Sequence, residues 1–432
     1  MPLIETPRAL RSHSYFGRLT VLLVCLMVAT AGALARNSRG VEHWVGTWAT
    51  APVARPQNAQ APPGGGAAVA PLNFKDQTLR QIVHVSIGGE RVRVVFSNAF
   101  GTAPVVIGAA HISIRAKDAA IQPMSDRPLA FSDSATTTIP PGAVIFSDPV
   151  SLAVPALADL AIDIYLPGDT AAPSPLTIHT RSRQTNYVSL DGNHAGETDL
   201  PVQTTTTSWF FLSRVEVTAA KKAEAFVMFG DSITDGYNST VDTNGRWPDD
   251  FARRLTDRSG KLDIGVLNLG IDGNRILTDG LGISALARFD RDVLVQSGVT
   301  HVVVLEGIND LGITPPPRPS AAELIAGHLQ LIQRAHARGL KIVGATLLPY
   351  EGTTFPGYYS PEGDASRQKF NEWMRTSKAY DGFIDFDAVM RDPSHPARIL
   401  PQYDSGDHLH PNDAGYAVMA NSVDLGLFKG GK

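Results

Sequence analysis

The chain has 432 residues, 43% hydrophobic and 19% charged, which supplies enough apolar side chains for packed cores and excludes an intrinsically disordered protein. Its 38 basic and 42 acidic residues leave a formal charge of −4, and with no basic block nucleic-acid binding has no electrostatic footprint. At this length two domains are the default expectation, because a single hydrophobic core rarely serves so many residues.

The first 35 residues read as a leader. Arg8, Arg11 and Arg18 precede the apolar run "LTVLLVCLMVATAGALA", which closes on Ala33-Leu34-Ala35. A charged start, an apolar middle and an A-x-A end make a secretory signal, so the mature protein is expected to be secreted or periplasmic. The competing reading is a membrane anchor, for which the run is slightly short and rich in small residues. Cys25, the only cysteine, lies inside this segment, with Val24 a poor lipobox residue before it. A cleaved chain would hold no thiol, and disulfides, thiolate zinc sites and cysteine nucleophiles would all be excluded.

Residues 40–220 have the period of a β domain. "TLRQIVHVSI", "RVRVVFSNAF", "VVIGAAHISIR", "LAIDIYLPG" and "SWFFLSRVEV" alternate apolar and polar side chains, with Gly or Pro between them. Short strands and frequent turns predict a sandwich-like fold. Gly88-Gly89 between two such runs predicts a hairpin. The stretch 54–71, "ARPQNAQAPPGGGAAVAP", is low-complexity and predicts a loop.

The period changes near residues 219–224. From there to 432, the short apolar runs "AFVMFG", "LDIGVLNLG", "HVVVLEG", "KIVGATLLP" and "FIDFDAV" alternate with helical stretches. Trp247, Phe251 and Leu255 recur at i, i+4 and i+8, with Pro248 near the start of that helix and Gly260 beyond its end. Ser320 and Glu323 form a capping-box signature, and Gly339 supplies a stop. Near-continuous apolar strands separated by helices predict a parallel sheet covered on both faces.

Ligands of open parallel sheets bind beyond the carboxyl ends of the strands, where the polar residues of this half collect. Asp231 and Ser232 follow the first run; Gly270, Gly273 and Asn274 follow the second; Gly307, Asn309 and Asp310 follow the third. Asp407 and His410 sit in "YDSGDHLHPNDAGY", ahead of the last helix. Acyl transfer needs such a set. A serine hydroxyl requires a base within hydrogen-bond reach, for which His410 is suited, and Asp407 can hold the other ring nitrogen in the right tautomer. The backbone amides of Ser232 and Gly273 and the side-chain amide of Asn309 are suitable donors for an oxyanion. Each residue also has a structural reading. Ser232 alone is more often a helix cap, Asn309-Asp310 a turn pair, and the two glycines a strand-to-helix turn. His408 and His410 could ligate a metal, but they lack a clear third partner. "GDSIT" lacks the second glycine of a G-x-S-x-G elbow, which argues against an α/β-hydrolase fold.

Four blocks in order, "GDSITDG", "NLGIDGN", "EGIND" and "DHLHP", resemble those of the GDSL or SGNH hydrolases, whose Ser, Gly, Asn and His match Ser232, Gly273, Asn309 and His410. Asp407 matches the acid three residues before the histidine. The blocks span residues 226 to 416. This resemblance implies an α/β fold: a flavodoxin-like three-layer α/β/α SGNH catalytic domain over 222–432, with no cofactor and no metal. Asp231 is expected to tie down the turn without reacting. "WVGTWATAP", "SNAFGT", "RQTNYVS" and "TTSWFFLSRVEV" look like a secreted two-domain subgroup associated with plant-polysaccharide breakdown.

The function expected is a secreted serine carboxylic-ester hydrolase that removes acetyl or other small acyl groups from carbohydrate. Its partners would be a small-molecule or carbohydrate ester, without nucleic acid and without a stable membrane anchor after cleavage. Two alternatives stand beside it: a lipase or arylesterase on apolar esters, and a polysaccharide-binding protein with a vestigial catalytic domain. "LLPYEGTTFPGYYSPEGD" has the aromatic and glycine content of a pocket wall for either kind of ester.

Overall fold

A computed structural model describes residues 42–57, 72–170, 174–259 and 264–428. The expected leader with Cys25, nearly all of the 54–71 segment and Gly260 lie outside these residues. Among the described residues no helix is long and apolar enough to cross a membrane.

Two antiparallel sheets dominate the region before residue 220. One runs in the order Trp44–Ala49, Leu212–Thr218, Gly89–Ser97, Val144–Phe146, with Val150–Val154 also pairing with Gly89–Ser97. The other is centred on Gln77–His84, Asp159–Leu166 and Ala109–Lys117, with Asn186–Asp191 and Val202–Thr206 at one side. Alternation explains the packing. In Asp159–Leu166, Leu160, Ile162, Ile164 and Leu166 enter the main core, while Ala161 joins a smaller cluster on the other face. On that second face Arg80 and Asp163 form a buried pair with two contacts of 2.8 Å.

The Gly88-Gly89 hairpin does not form. Gln77–His84 and Gly89–Ser97 belong to different sheets, and the two glycines carry the chain from one to the other. They are needed for close approach. A Cβ at Gly88 would lie 2.3 Å from the Val154 carbonyl oxygen, and one at Gly89 2.5 Å from that of Thr218.

The second half is a five-stranded parallel sheet. Its order is Ile264–Gly270, Glu224–Gly230, Val299–Leu305, Lys341–Ala345, Gly382–Ile384, so the first strand in sequence has the second and the third as its neighbours. That is the flavodoxin-like order, and it places a switch point at the end of Glu224–Gly230. Trp247–Ser259 and Asp413–Ser422 pack together, as do Ala321–His336 and Pro361–Thr376, which completes three layers. Trp247, Phe251 and Leu255 are buried, as their spacing predicts. Ser320 and Glu323 make the capping box, and the helix it starts ends just before Gly339 at φ 70°.

The β-rich region joins this sheet along its outer strand, and residues from Trp44 onward form one compact unit. Gly46 N–H donates to the Ser297 carbonyl at 2.9 Å, and Val266 N–H donates to Ser86 Oγ at 2.9 Å. A Cβ at Gly265 would lie 2.0 Å from the Gly46 carbonyl oxygen. Backbone therefore meets backbone across this contact.

Candidate active site

Strand Glu224–Gly230 stops at the switch point because Gly230 has no room for a side chain: a Cβ there would lie 2.3 Å from Thr234 Oγ1 and 2.4 Å from the Leu305 carbonyl oxygen. The chain turns at Asp231, whose carboxylate accepts the Ile233 N–H at 2.9 Å as an N-cap. Ser232 is the first residue of a single helical turn, Ser232–Asp235, closed by Gly236 at φ 94°. One turn has little macrodipole, so the local N–H groups matter more than a helix field at this serine.

Ser232 Oγ lies 2.8 Å from His410 Nε2. His410 Nδ1 lies 2.7 Å from Asp407 Oδ2. The Asp407 carboxylate also accepts the backbone N–H groups of Leu409 and His410 at 2.9 and 2.8 Å, and the Asn238 side-chain amide at 3.0 Å. Burial alone would raise its pKa, but the bond to His410, its charge and these amides hold the carboxyl down at about 2. Serine, histidine and carboxylate thus form one hydrogen-bonded line from residues 178 positions apart in the chain.

Gly273 and Asn309 lie in the wall of the same pocket. Gly273 takes φ 68°, and the backbone N–H groups of Ser232 and Gly273 have no protein acceptor among the described residues. One N–H of Asn309 donates to the Asn274 carbonyl at 2.9 Å, while its Oδ1 accepts the Tyr358 hydroxyl at 2.8 Å. Its remaining N–H is available. Asp310 is more than a turn residue, since it accepts the N–H groups of Ile276 and Leu277 at 2.8 and 3.1 Å and so fixes the loop that carries Gly273. His408 is half-exposed and bonds Asp404, away from this line. No cluster of three His, Cys, Asp or Glu that could hold a metal occurs among the described residues.

A layer of charge lies beneath the site. Arg288 is fully buried and donates to the carbonyls of Gly230 and Leu269 and to Asn274 Oδ1, each at 2.8 Å, and to Asp292 at 3.1 Å. It therefore ties two strand ends to the loop that carries Gly273. Burial pushes the carboxyls of Asp231 and Asp310 up to about 7 and about 6, and raises that of Glu306 well above the usual range.

The pocket encloses about 580 Å³. Phe355, Pro356, Gly357 and Tyr358 of the aromatic, glycine-rich stretch form one wall, and the 312–318 loop another. Leu281, Ile313 and Phe355 line it while remaining 62%, 45% and 38% exposed. Arg181 comes from the β-rich region and bonds Asp272 at 3.1 Å. Tyr237 packs against His410 with ring centroids 4.4 Å apart and the rings tilted by 42°. Sequence reasoning missed Arg181, Tyr237 and Arg288, and reached Tyr358 only as part of the aromatic, glycine-rich stretch expected to form a pocket wall. Tyr237 had a local signal, an aromatic directly after the "GDSITDG" block; Arg181 and Arg288 reach the site from other segments of the chain.

Residues 228–418 match the GDSL-like Lipase/Acylhydrolase family. A search of curated proteins gave no match. Among solved structures, a GDSL-like lipase from Bacteroides thetaiotaomicron is 20% identical over 49% of this chain and 91% of its own, with a TM-score of 0.38. The aryl esterase of M. smegmatis is 15% identical over 46% of this chain and 95% of its own, with a TM-score of 0.38. A carbohydrate acetylesterase from Sinorhizobium meliloti is 16% identical over 46% and 94%, with a TM-score of 0.36.

Proposed function

We propose, on the premise that this chain carries a GDSL-like lipase/acylhydrolase domain and is an ester hydrolase, that Ser232, His410 and Asp407 are its catalytic triad. One observation carries the proposal: the continuous hydrogen-bonded line from Ser232 Oγ through His410 to Asp407 at the pocket wall. Ser232 attacks the ester carbonyl as His410 Nε2 takes its proton. The oxyanion is met by the N–H groups of Ser232, Gly273 and Asn309. His410 then returns the proton to the departing alcohol, leaving an acyl-serine that water hydrolyses by the same steps in reverse roles.

The exposed side chains of Leu281, Ile313 and Phe355 around the mouth favour esters with an apolar body. They support the apolar-ester reading over removal of acetyl groups from carbohydrate. An intact triad speaks against a vestigial domain. For the location, we keep the reading of residues 1–35 as a cleaved export signal. An amino terminus at Met1 in protein recovered outside the cytoplasm would end it.

The test of the mechanism is labelling with a serine-directed organophosphate. Wild type should lose phenyl acetate hydrolysis and gain one adduct on the peptide holding Ser232, and Ser232→Ala should be inactive from the start. Activity of the pure Ser232→Ala protein within tenfold of wild type would end the serine reading.

A further inference from the structure

We propose that Arg181 is a specificity residue that binds an anionic group on the alcohol portion of the substrate, which makes the preferred substrates esters of hydroxy acids with an apolar body. This rests on the esterase reading above.

Among the described residues of the pocket wall, Arg181 is the arginine with donors to spare. The other arginine in that wall, Arg318, is held by the carbonyls of Gly312, Gly357 and Tyr358 and by Ser360 Oγ. Arg181 keeps one bond, Nη1 to Asp272, and its side chain is 54% exposed. Its other donors are left for a ligand, in the fork geometry that suits a carboxylate.

The backbone beneath it is held in place. Arg181 and Arg183 both take φ 55°, a conformation that persists only where surroundings enforce it. Here the enforcement comes from the α/β region. Asp242 accepts from Gln184 Nε2, Thr185 N–H and Thr185 Oγ1 at 2.7, 2.6 and 2.6 Å, and donates its own N–H to the Arg183 carbonyl at 3.0 Å. Arg246 reaches the Ser182 carbonyl at 3.3 Å.

The position selects the alcohol side. The guanidinium carbon of Arg181 lies 5.6 Å from the centroid of Tyr237, and that of Arg183 4.7 Å. Tyr237 in turn packs against His410, the group that protonates the departing alcohol. A charge on that alcohol therefore sits on the Arg181 side of the serine.

The experiment compares phenyl acetate, 4-acetoxybenzoate, 4-acetoxy-N,N,N-trimethylanilinium and monophenyl succinate. The first three share an acetyl group and differ in the charge of the phenol, and the fourth carries its anion on the acyl side. Wild type should prefer 4-acetoxybenzoate to the cationic ester by about tenfold or more in kcat/KM, the low end for a hydrogen bond to a charged group. Raising the salt concentration should shrink that ratio. Arg181→Gln keeps a donor for Asp272 and should collapse the ratio by about as much, whereas Arg181→Lys should keep most of it. An unchanged ratio in Arg181→Gln, or a preference for monophenyl succinate alone, overturns the proposal. Wild type that hydrolyses none of the four and takes no organophosphate overturns the esterase reading and this one together. Turnover of phenyl acetate together with a charge preference that does not depend on Arg181 overturns only the role of the arginine.

Discussion

The hydroxyl of Tyr358 donates to Asn309 Oδ1 at 2.8 Å, and so sets which end of that amide faces Asn274 and the pocket. Without that bond the amide could rotate and turn its oxygen, in place of its N–H, into the pocket. Asn309→Ala should lower kcat by about 10²–10³ with little change in KM, the range for losing one oxyanion donor. Tyr358→Phe should lower kcat by a smaller factor, about tenfold, since the donor survives but is no longer aimed. A rise in KM alone for Asn309→Ala would make it a substrate-binding group.

Stability should depend on pH in an unusual direction. Burial raises Asp231 to about 7 and Asp310 to about 6, so in the folded state both keep protons that the unfolded chain releases near pH 4. A carboxyl raised on folding contributes stability that is complete below the unfolded value and is lost as pH rises through the folded one. Asp407, depressed to about 2, acts oppositely, but its contribution is lost only on acidification below about pH 4. Between pH 7 and pH 4 the raised carboxyls, which include Asp272 at about 7 and Glu306, outweigh His328, which burial holds down at about 3 and which acts oppositely. Melting temperature should therefore climb as pH falls across that window, and Asp231→Asn, which keeps an acceptor for the Ile233 N–H, should flatten the climb. A melting temperature that falls steadily from pH 7 to pH 4 in wild type would refute the assignment.

Arg288 is a fully buried cation whose partners include two strand-end carbonyls, Asn274 and Asp292. Arg288→Met should cost about 3–5 kcal/mol, the range for breaking a buried charge pair from one side, because Asp292 would keep only Arg291 and the buried Gly230, Leu269 and Asn274 acceptors would lose their donor. Chemical denaturation measures this loss. A cost below about 1 kcal/mol would mean that the site tolerates the loss of its strut.

What could be read from the sequence divides along a physical line. The parallel sheet, the capping box and the Ser232, His410 and Asp407 set were legible because each is encoded over a few neighbouring residues: an apolar run, a cap spacing, a short block at a strand end. Gly88-Gly89 was misread as a hairpin, since two glycines between strands report only that backbone must pass close by. The neighbours that demand it, Val154 and Thr218, are more than sixty residues away. Arg181 and Arg288 had no local signature for the same reason. An arginine's role is set by what lies opposite, and apart from Asp292, four residues after Arg288, the opposite groups come from other segments of the chain.

The β-rich region is the subject of the last prediction. It covers the outer strand of the parallel sheet, Ile264–Gly270, with a hydrogen bond from Val266 to Ser86 and the close approach of Gly265 to Gly46, and it reaches the turn before Val299–Leu305 with a hydrogen bond from Gly46 to Ser297. It also places His179 against Asp235 at 3.0 Å, a pair buried next to the serine turn, and Arg181 against Asp272. A fragment of residues 222–432 would therefore expose an edge strand built of Val266, Leu267 and Leu269, and unpaired edges of that kind recruit other chains. It would also leave Asp235 and Asp272 without their partners and open one wall of the pocket. The fragment should aggregate, or should hydrolyse phenyl acetate with a kcat/KM at least tenfold below that of the full chain. A point change probes the same contact in the whole protein. Gly265→Val must push the Gly46 carbonyl away and should lower both melting temperature and activity, whereas Gly339→Ala, at an open helix end, should affect stability alone. A monomeric 222–432 fragment with kcat/KM equal to the full chain would show that the two regions are merely tethered, and the packed interface would have no part in catalysis.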